Sequence, residues 1–325
     1  MHIKGNPMKI DSKDKQLLDL LYLDSRASCT QLGKKLKLSS ATVERRLNRL
    51  IENGVITLLF ADVDFAKLGL KSYRLYIKLD VLDQKIEQEF LKFFIDYKKT
   101  VWGVICQGDY DILIRFIAKD EFEVQSVIEL VLSKFGSRVI DKTVITTTYQ
   151  NYLSWNHIFQ TPRRPAFPIE RMDGVSKFDE IDREILSLLY ANSRSSTVEI
   201  SRKVGLSPDA VQHRLRRLRS DGVILGYTSW FDCRKLGFNY YKLLIGFRNI
   251  TSEIEDKFIK YCSEQDFVVF INKTIGSWDI ELDIVVTDIV ELHLFSRDLK
   301  TRFGQIIGKQ YSISAIEERM LNPLR

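Results

Sequence analysis

Apolar residues recur three and four positions apart in 11–60 and again in 179–228, and they alternate along short runs in 70–150 and 238–320. The first rhythm is helical; the second belongs to half-buried strands. Leu17, Leu18 and Leu21 share one helix face, as do Ile185, Leu186 and Leu189. Ser28-Cys29-Thr30-Gln31 and Ser196-Thr197-Val198-Glu199 each open a second helix with a capping box, in which Ser covers the third amide and Gln or Glu reaches back. Ser39 and Ser207 cap a third helix after a short turn, and Pro208 takes its first position, where a missing amide costs nothing. Val43, Leu47 and Leu50 form the buried stripe of that helix, repeated by Val211, Leu215 and Leu218. Gly54 and Gly222 end it, and 55–60 and 223–225 continue as strand. Three short helices with a tight turn between the last two make a helix-turn-helix.

The other stretch reads strand 72–79, helix 84–97, strand 101–107, strand 111–118, helix 120–135 and strand 139–148. Ile86, Phe90, Phe93 and Phe94 set the phase of one helix, and Val127, Val131 and Leu132 that of the other. This βαββαβ order is ferredoxin-like, and it returns over 241–314. The expected fold class is α+β, with two winged-type helix-turn-helix domains alternating with two ferredoxin-like domains.

The chain therefore holds one unit twice. Phe303-Gly304 lies 168 positions after Phe135-Gly136, and Ser193-Arg194 stands at the same offset from Ser25-Arg26. The spacing predicts helix-turn-helix domains at 9–60 and 177–228 and ferredoxin-like domains at 70–150 and 238–325. Between the copies, 151–176 carries Pro162, Pro165 and Pro168, half of the six prolines, and reads as a semi-rigid linker. Its aromatics, Tyr152, Trp155, Phe159 and Phe167, suggest that it partly packs down.

Apolar content of 45% with 28% charged residues is ordinary for a soluble globular protein. No apolar run reaches membrane-spanning length, and Met1-His2-Ile3-Lys4 does not lead into a signal peptide. Cys29, Cys106, Cys233 and Cys262 show no close pairing, which fits free thiols in a reducing cytoplasm. No metal-ligand cluster, phosphate loop or nucleophile elbow is present, so neither metal nor cofactor is expected. The net charge of +6 suits a polyanion only if it is suitably placed. The face opposite the buried stripe of the third helix carries it. Ser40, Thr42, Arg45, Arg46, Asn48 and Arg49 in one copy, and Gln212, His213, Arg214, Arg216 and Arg217 in the other, are types that grip phosphates and read base edges.

Asp11-x-x-Asp14-x-x-Leu17-Leu18, Ser25-Arg26, Leu38-Ser39, Val43-x-x-Arg46-Leu47-x-x-Leu50 and Gly54-Val55-Ile56 resemble the helix-turn-helix of the leucine-responsive regulator (Lrp)/AsnC transcription factors. The unit that follows is similar to the family's effector-binding domain, also called the regulation-of-amino-acid-metabolism domain. Its marker is Gly-x-x-Asp between the middle strands: Gly108-Asp109-Tyr110-Asp111 and Gly276-Ser277-Trp278-Asp279. The resemblance implies a cytoplasmic regulator whose binding to double-stranded DNA is modulated by a small effector, such as an amino acid. Gly108, Tyr110, Asp111, Gly276, Trp278 and Asp279 would hold the effector, with a carboxylate meeting its ammonium. The same Gly and Asp also suit a turn for purely structural reasons. Family members carry one copy and assemble as dimers and higher oligomers, so this chain is expected to be an intrachain pseudo-dimer that assembles further. Siroheme decarboxylases share the family's look and can be fused in two halves, but they rely on histidines in the sheet domain. Here His2, His157, His213 and His293 match no such pattern, so no enzyme is expected. A ligand-sensing adaptor without DNA binding is the other rival, opposed by the arginines of both third helices.

Alternation also sorts the sheet faces. The resemblance implies that effector domains pair sheet face to sheet face, so Arg74, Tyr76, Lys78, Leu113 and Arg115 in the first copy should meet Lys242, Leu244, Gly246, Glu281 and Asp283 in the second. A basic face would then pair with a more acidic one, Arg115 with Asp283 among them.

Overall fold

The computed structural model describes residues 7–161, 167–168 and 174–325. Pro162, Pro165 and His2 lie outside the described residues. The first copy runs α1 (Ser12–Leu23), α2 (Cys29–Leu36), α3 (Ser40–Glu52), β1 (Ile56–Val63), β2 (Lys71–Leu79), α4 (Gln84–Asp96), β3 (Thr100–Gly108), β4 (Ile112–Ala118), α5 (Glu121–Phe135) and β5 (Val139–Tyr152). A helical turn, α6 (Asn156–Phe159), and a short strand, β6 (Phe167–Pro168), follow. The second copy runs α7 (Glu180–Ala191), α8 (Thr197–Val204), α9 (Pro208–Ser220), β7 (Ile224–Phe231), β8 (Asn239–Phe247), α10 (Ser252–Ser263), β9 (Val268–Ile275), β10 (Ile280–Val286), α11 (Ile289–Phe303) and β11 (Ile307–Met320). Ser28 with Gln31 and Ser196 with Glu199 form the expected capping boxes. Asp11 with Asp14 and Asp179 with Asp182 form two more at the starts of α1 and α7.

The copies do not fold side by side. One compact unit gathers the described residues of Met1–Leu70, Glu170–Gly237 and Asn322–Arg325; the other gathers those of Lys71–Ile169 and Phe238–Leu321. In the first unit the strands after the two helix-turn-helices pair with each other as an antiparallel ribbon, β1 with β7, Phe60 opposite Thr228. Each ribbon strand packs under the other copy's first helix. Phe60 meets Tyr190 with ring centroids 5.4 Å apart, and Tyr22 meets Phe231 at 6.4 Å. The helices are thus locked across copies by burial of large apolar rings.

In the second unit the ferredoxin-like strand orders β5-β2-β4-β3 and β11-β8-β10-β9 join at both ends, through β3–β11 and β5–β9. Eight strands of the described residues close into a ring, so those four edges are paired. Helices α4 and α5 cover one half of its outside, burying Leu75, Ile77, Phe90, Phe94, Ile114, Phe116 and Val127. Helices α10 and α11 cover the other half over Leu243, Ile245, Phe258, Leu282, Ile284 and Leu299. The run past 148 was expected to be linker. It continues β5 to Tyr152 and then buries Leu153, Trp155, Ile158 and Phe159, with Trp155 against Phe270 of β9.

The inside of the ring is charged. Arg74 Nη1 donates to Glu281 Oε2 at 2.7 Å and to Thr147 Oγ1 at 2.8 Å. Tyr76 Oη and Trp278 Nε1 donate to Glu281 Oε1 at 2.6 and 3.0 Å, and Lys242 Nζ stands 3.3 Å from Glu281 Oε2. Lys242 also pairs with Asp283, which accepts from Asn272 Nδ2 at 2.9 Å. Arg74, Lys242, Glu281 and Asp283 are all at most 3% exposed, so the two cations and two anions must satisfy one another. The ion pair between copies is Arg74–Glu281, and Tyr76 adds a hydrogen bond to the same carboxylate. The expected pairing of Arg115 with Asp283 does not form: Arg115 Nε donates to Ser72 Oγ of its own sheet, and Lys78 reaches Asp111. Lys78 lies near the end of β2, and both Arg115 and Lys78 are less buried than Arg74.

Burial alone would raise the Glu281 carboxyl, but Arg74 and Lys242, with the Tyr76 and Trp278 donors, hold it below the ordinary value of 4.5. A depressed carboxyl contributes stability that is complete above the unfolded value and is lost as pH falls through the folded one. The urea midpoint of the wild type should therefore drop below about pH 4.5 more steeply than that of Glu281→Gln; equal slopes would refute it.

Candidate functional site

Helices α3 and α9 are held by one device used twice. Asp14 and Asp182 are each 1% exposed at the first turns of α1 and α7, where a helix N-terminus also favours a carboxylate. Arg46 Nη1 meets Asp14 Oδ1 at 2.7 Å and Asp11 Oδ2 at 2.8 Å, and Arg49 Nη2 meets Asp14 Oδ2 at 2.5 Å. Arg214 Nη1 repeats this on Asp182 and Asp179 at 2.8 and 2.7 Å, and Arg217 on Asp182. The Asp14 carboxylate raises the Arg46 guanidinium, and Asp182 raises Arg214. These four arginines were expected on the DNA side. Their guanidiniums also meet the acids of α1 or α7, because positions three apart on a helix share a flank and this flank faces those helices, while the Arg49 and Arg217 side chains stay 45% and 39% exposed.

What remains on the outer face is the rest of the expected set. Ser40, Arg45 and Asn48 on α3 are exposed, with Thr42 half-buried and its Oγ1 on Ser39 Oγ at 2.8 Å. Gln212, His213 and Arg216 on α9 are exposed. They project from well-capped helices and form no ion pair among the described residues, as suits groups that bond to bases and phosphates. Lys34, Lys35, Arg202 and Lys203, exposed at the ends of the preceding helices, add positive charge.

A hydrogen bond between equivalent residues ties the two modules together. Ser25 Oγ and Ser193 Oγ, both fully buried, lie 2.7 Å apart. Around them Arg26 Nη1 donates to Ser193 O at 2.5 Å, and Arg194 Nη1 donates to Ser25 O and Ala27 O, both at 2.8 Å. The amides cross over too, Ser25 N to Tyr227 O at 3.0 Å and Ser193 N to Leu59 O at 2.7 Å. Repetition of Ser-Arg at the copy offset was the signal for this contact. Ser25→Ala should cost about 1–3 kcal/mol by stranding the Ser193 hydroxyl, and Ser25→Ala/Ser193→Ala less than twice that. Additive losses in urea unfolding would contradict a shared bond.

The Gly-x-x-Asp turns lie in the sheet unit, and their carboxylates are engaged. Asp111 accepts from Leu79 N at 2.8 Å and from Lys78 Nζ at 3.0 Å; Asp279 accepts from Phe247 N at 2.6 Å. Each pins the β3–β4 or β9–β10 turn to the end of β2 or β8; Asp111 is also ion-paired with Lys78, whereas Asp279 is exposed. Tyr110 and Trp278 are buried inward beside Tyr76, with Tyr76 and Trp278 rings 4.8 Å apart. Gly108 and Gly276 have φ of +133° and +146°. Among the described residues, His157 packs against Phe238 and Phe267, His213 is on α9 and His293 is exposed on α11, so none faces the inside of the ring. No metal-binding group of His, Cys, Asp and Glu forms among them, and no helix among them is long and apolar enough to cross a membrane.

The model of winged helix-turn-helix DNA-binding domains matches residues 10–57 and 178–224. The HTH-type transcriptional regulator Ptr1 of Methanocaldococcus jannaschii is 33% identical over 117 residues, which cover 36% of this chain and 78% of that protein. The regulatory protein AsnC of Haemophilus influenzae is 31% identical over 119 residues, covering 37% and 79%. The chain belongs to the Lrp/AsnC family. It is a tandem member, with two winged helix-turn-helix domains and two ferredoxin-like domains in one polypeptide. The glutamate uptake regulatory protein of Zymomonas mobilis is 29% identical and covers 46% of this chain and 93% of that one. Over nearly its whole length the fold also matches the siroheme decarboxylase NirDL, with TM-score 0.65, 12% identity, and coverage of 97% and 95%. At that identity the likeness speaks for the fold alone.

Proposed function

We propose that this Lrp/AsnC chain regulates transcription by holding two DNA-reading helices in one fixed frame, and that a small ligand such as an amino acid, taken up by the sheet unit, modulates the binding. The domains at 9–60 and 177–228 bind DNA, and those at 70–150 and 238–325 sense. The observation that carries the reading is the division of labour on α3 and α9. Arg46, Arg49, Arg214 and Arg217 are tied inward, while Arg45, Asn48, Gln212, His213 and Arg216 are left outward. A regulator, and not an enzyme, is favoured by where the described histidines sit and by the filling of the ring with paired charges.

Binding to labelled duplex DNA should weaken steeply with salt, the logarithm of affinity falling by about 0.9 per phosphate contact for each unit in log salt. Arg45→Ala/Arg216→Ala should lose about tenfold or more. An amino-acid panel added to the same titration tests the sensing half. Salt-insensitive binding, or unchanged affinity in the double variant, would overturn the reading.

A further inference from the structure

Comparison of α3 with α9 at the copy offset separates two classes of position. Val43, Arg46, Leu47, Arg49 and Leu50 recur unchanged as Val211, Arg214, Leu215, Arg217 and Leu218. These are the residues that the structure buries or ties to Asp14 and Asp182. Every other position of the helix differs: Ser40 stands against Pro208, Ala41 against Asp209, Thr42 against Ala210, and Glu44 against Gln212. Arg45 stands against His213, Asn48 against Arg216, Ile51 against Arg219, and Glu52 against Ser220. All of these are exposed except Thr42 and Ala210, which are half-buried. The frame is held identical and the outer face is rewritten completely.

Resting on the DNA-binding reading, we infer that the operator is not a palindrome but two unlike half-sites, so that the bound chain has a direction. The crossed amide bonds at Ser25 and Ser193 and the antiparallel β1–β7 ribbon relate the modules by a pseudo-twofold, so the half-sites are inverted. Their centres lie about one helical turn of DNA apart, or a multiple of it. The chemistry of each face then sets the letters. A guanidinium pairs best with guanine O6 and N7, and a carboxamide with adenine N6 and N7. The first copy presents Arg45 with Asn48 one helical turn later; the second presents Gln212, with Arg216 at the place of Asn48. At this last position an adenine contact in the first half therefore becomes a guanine contact in the second, while Arg45 gives way to His213. Glu44 adds an acceptor for cytosine N4 in the first half that Gln212 does not reproduce as an anion.

Selection of bound duplexes from a random pool by the full chain tests this. The expected consensus is two different half-sites, and exchanging a contacted base pair in one half lowers affinity about tenfold to a hundredfold. The variant Glu44→Gln/Arg45→His/Asn48→Arg changes only exposed positions and gives the first helix the second helix's contacts. It should select a symmetric inverted repeat of the second half-site. A palindromic consensus from the wild type, or an unchanged consensus from the variant, overturns the inference while leaving the DNA-binding reading intact. Absence of any DNA binding overturns both.

Discussion

Glu281→Leu should destabilise the sheet unit by about 3–5 kcal/mol, the range for breaking a buried ion pair by removing one partner. The carboxylate accepts from Arg74, Tyr76 and Trp278 and neutralises Lys242 as well. Without it two buried cations face Asp283 alone, and the two hydroxyl and indole donors lose their shared acceptor. The size of the side chain is not the obstacle, since Leu113 occupies the equivalent position of the first copy. Arg74→Leu/Glu281→Leu should recover part of the loss, because a charge pair replaced on both sides by apolar groups strands neither partner. Urea unfolding followed by tryptophan fluorescence reads this directly, since Trp278 bonds to the cluster and Trp102 lies under Lys242. A loss under about 1 kcal/mol in the single variant, or a double variant worse than both singles, would mean that the cluster does not hold the copies together.

The same cluster shows where the sequence was legible and where it was not. Alternation placed Arg74, Lys242, Glu281 and Asp283 on the inner face, because strand period is local. It did not say which acid meets which base, because that depends on the register of two seams, β3–β11 and β5–β9, made by residues more than about 100 positions apart. Arg74 reaches Glu281, and the wetter Arg115 stays with Ser72. The caps at Ser28, Ser39, Ser196 and Ser207 were readable for the same reason that the faces were: their partners lie within three residues. The roles of Arg46 and Arg214 were not, since pattern places an arginine beside the reading face but not the carboxylate of another helix behind it. A signal was available. Arg46 and Arg49 recur in the second copy, as does Asp14, while their exposed neighbours do not. In a duplicated chain, identity between copies marks the frame and divergence marks the readout.

Gly108→Ala should cost about 2–6 kcal/mol, and Gly276→Ala less. At φ of +133° an L-residue is strained by roughly 1–3 kcal/mol before any contact is counted. A methyl group at Gly108 would lie 2.3 Å from the carbonyl oxygen of Ser312, in the β3–β11 seam where the copies join. A backbone carbonyl in a paired strand cannot swing aside, so overpacking adds a further 1–3 kcal/mol or so. At Gly276, φ is +146° and the nearest atom is Ile145 Cγ2 at 2.7 Å, farther off than the Ser312 carbonyl oxygen is at Gly108. Val144 O follows at 3.1 Å, so the other seam also resists, but less. The ordering separates two meanings of the Gly-x-x-Asp turn. Were the glycines there only to let a ligand approach, alanine would weaken ligand binding and cost stability no more than the φ strain common to both positions. If they close the ring, urea midpoints fall in both variants, further for Gly108→Ala, with or without amino acid present. Equal losses no larger than that strain would return both turns to the ligand reading. Losses in the stated order would mean that the family's marker motif here closes the seams between copies, and Asp111 and Asp279 pin the turns that those seams require.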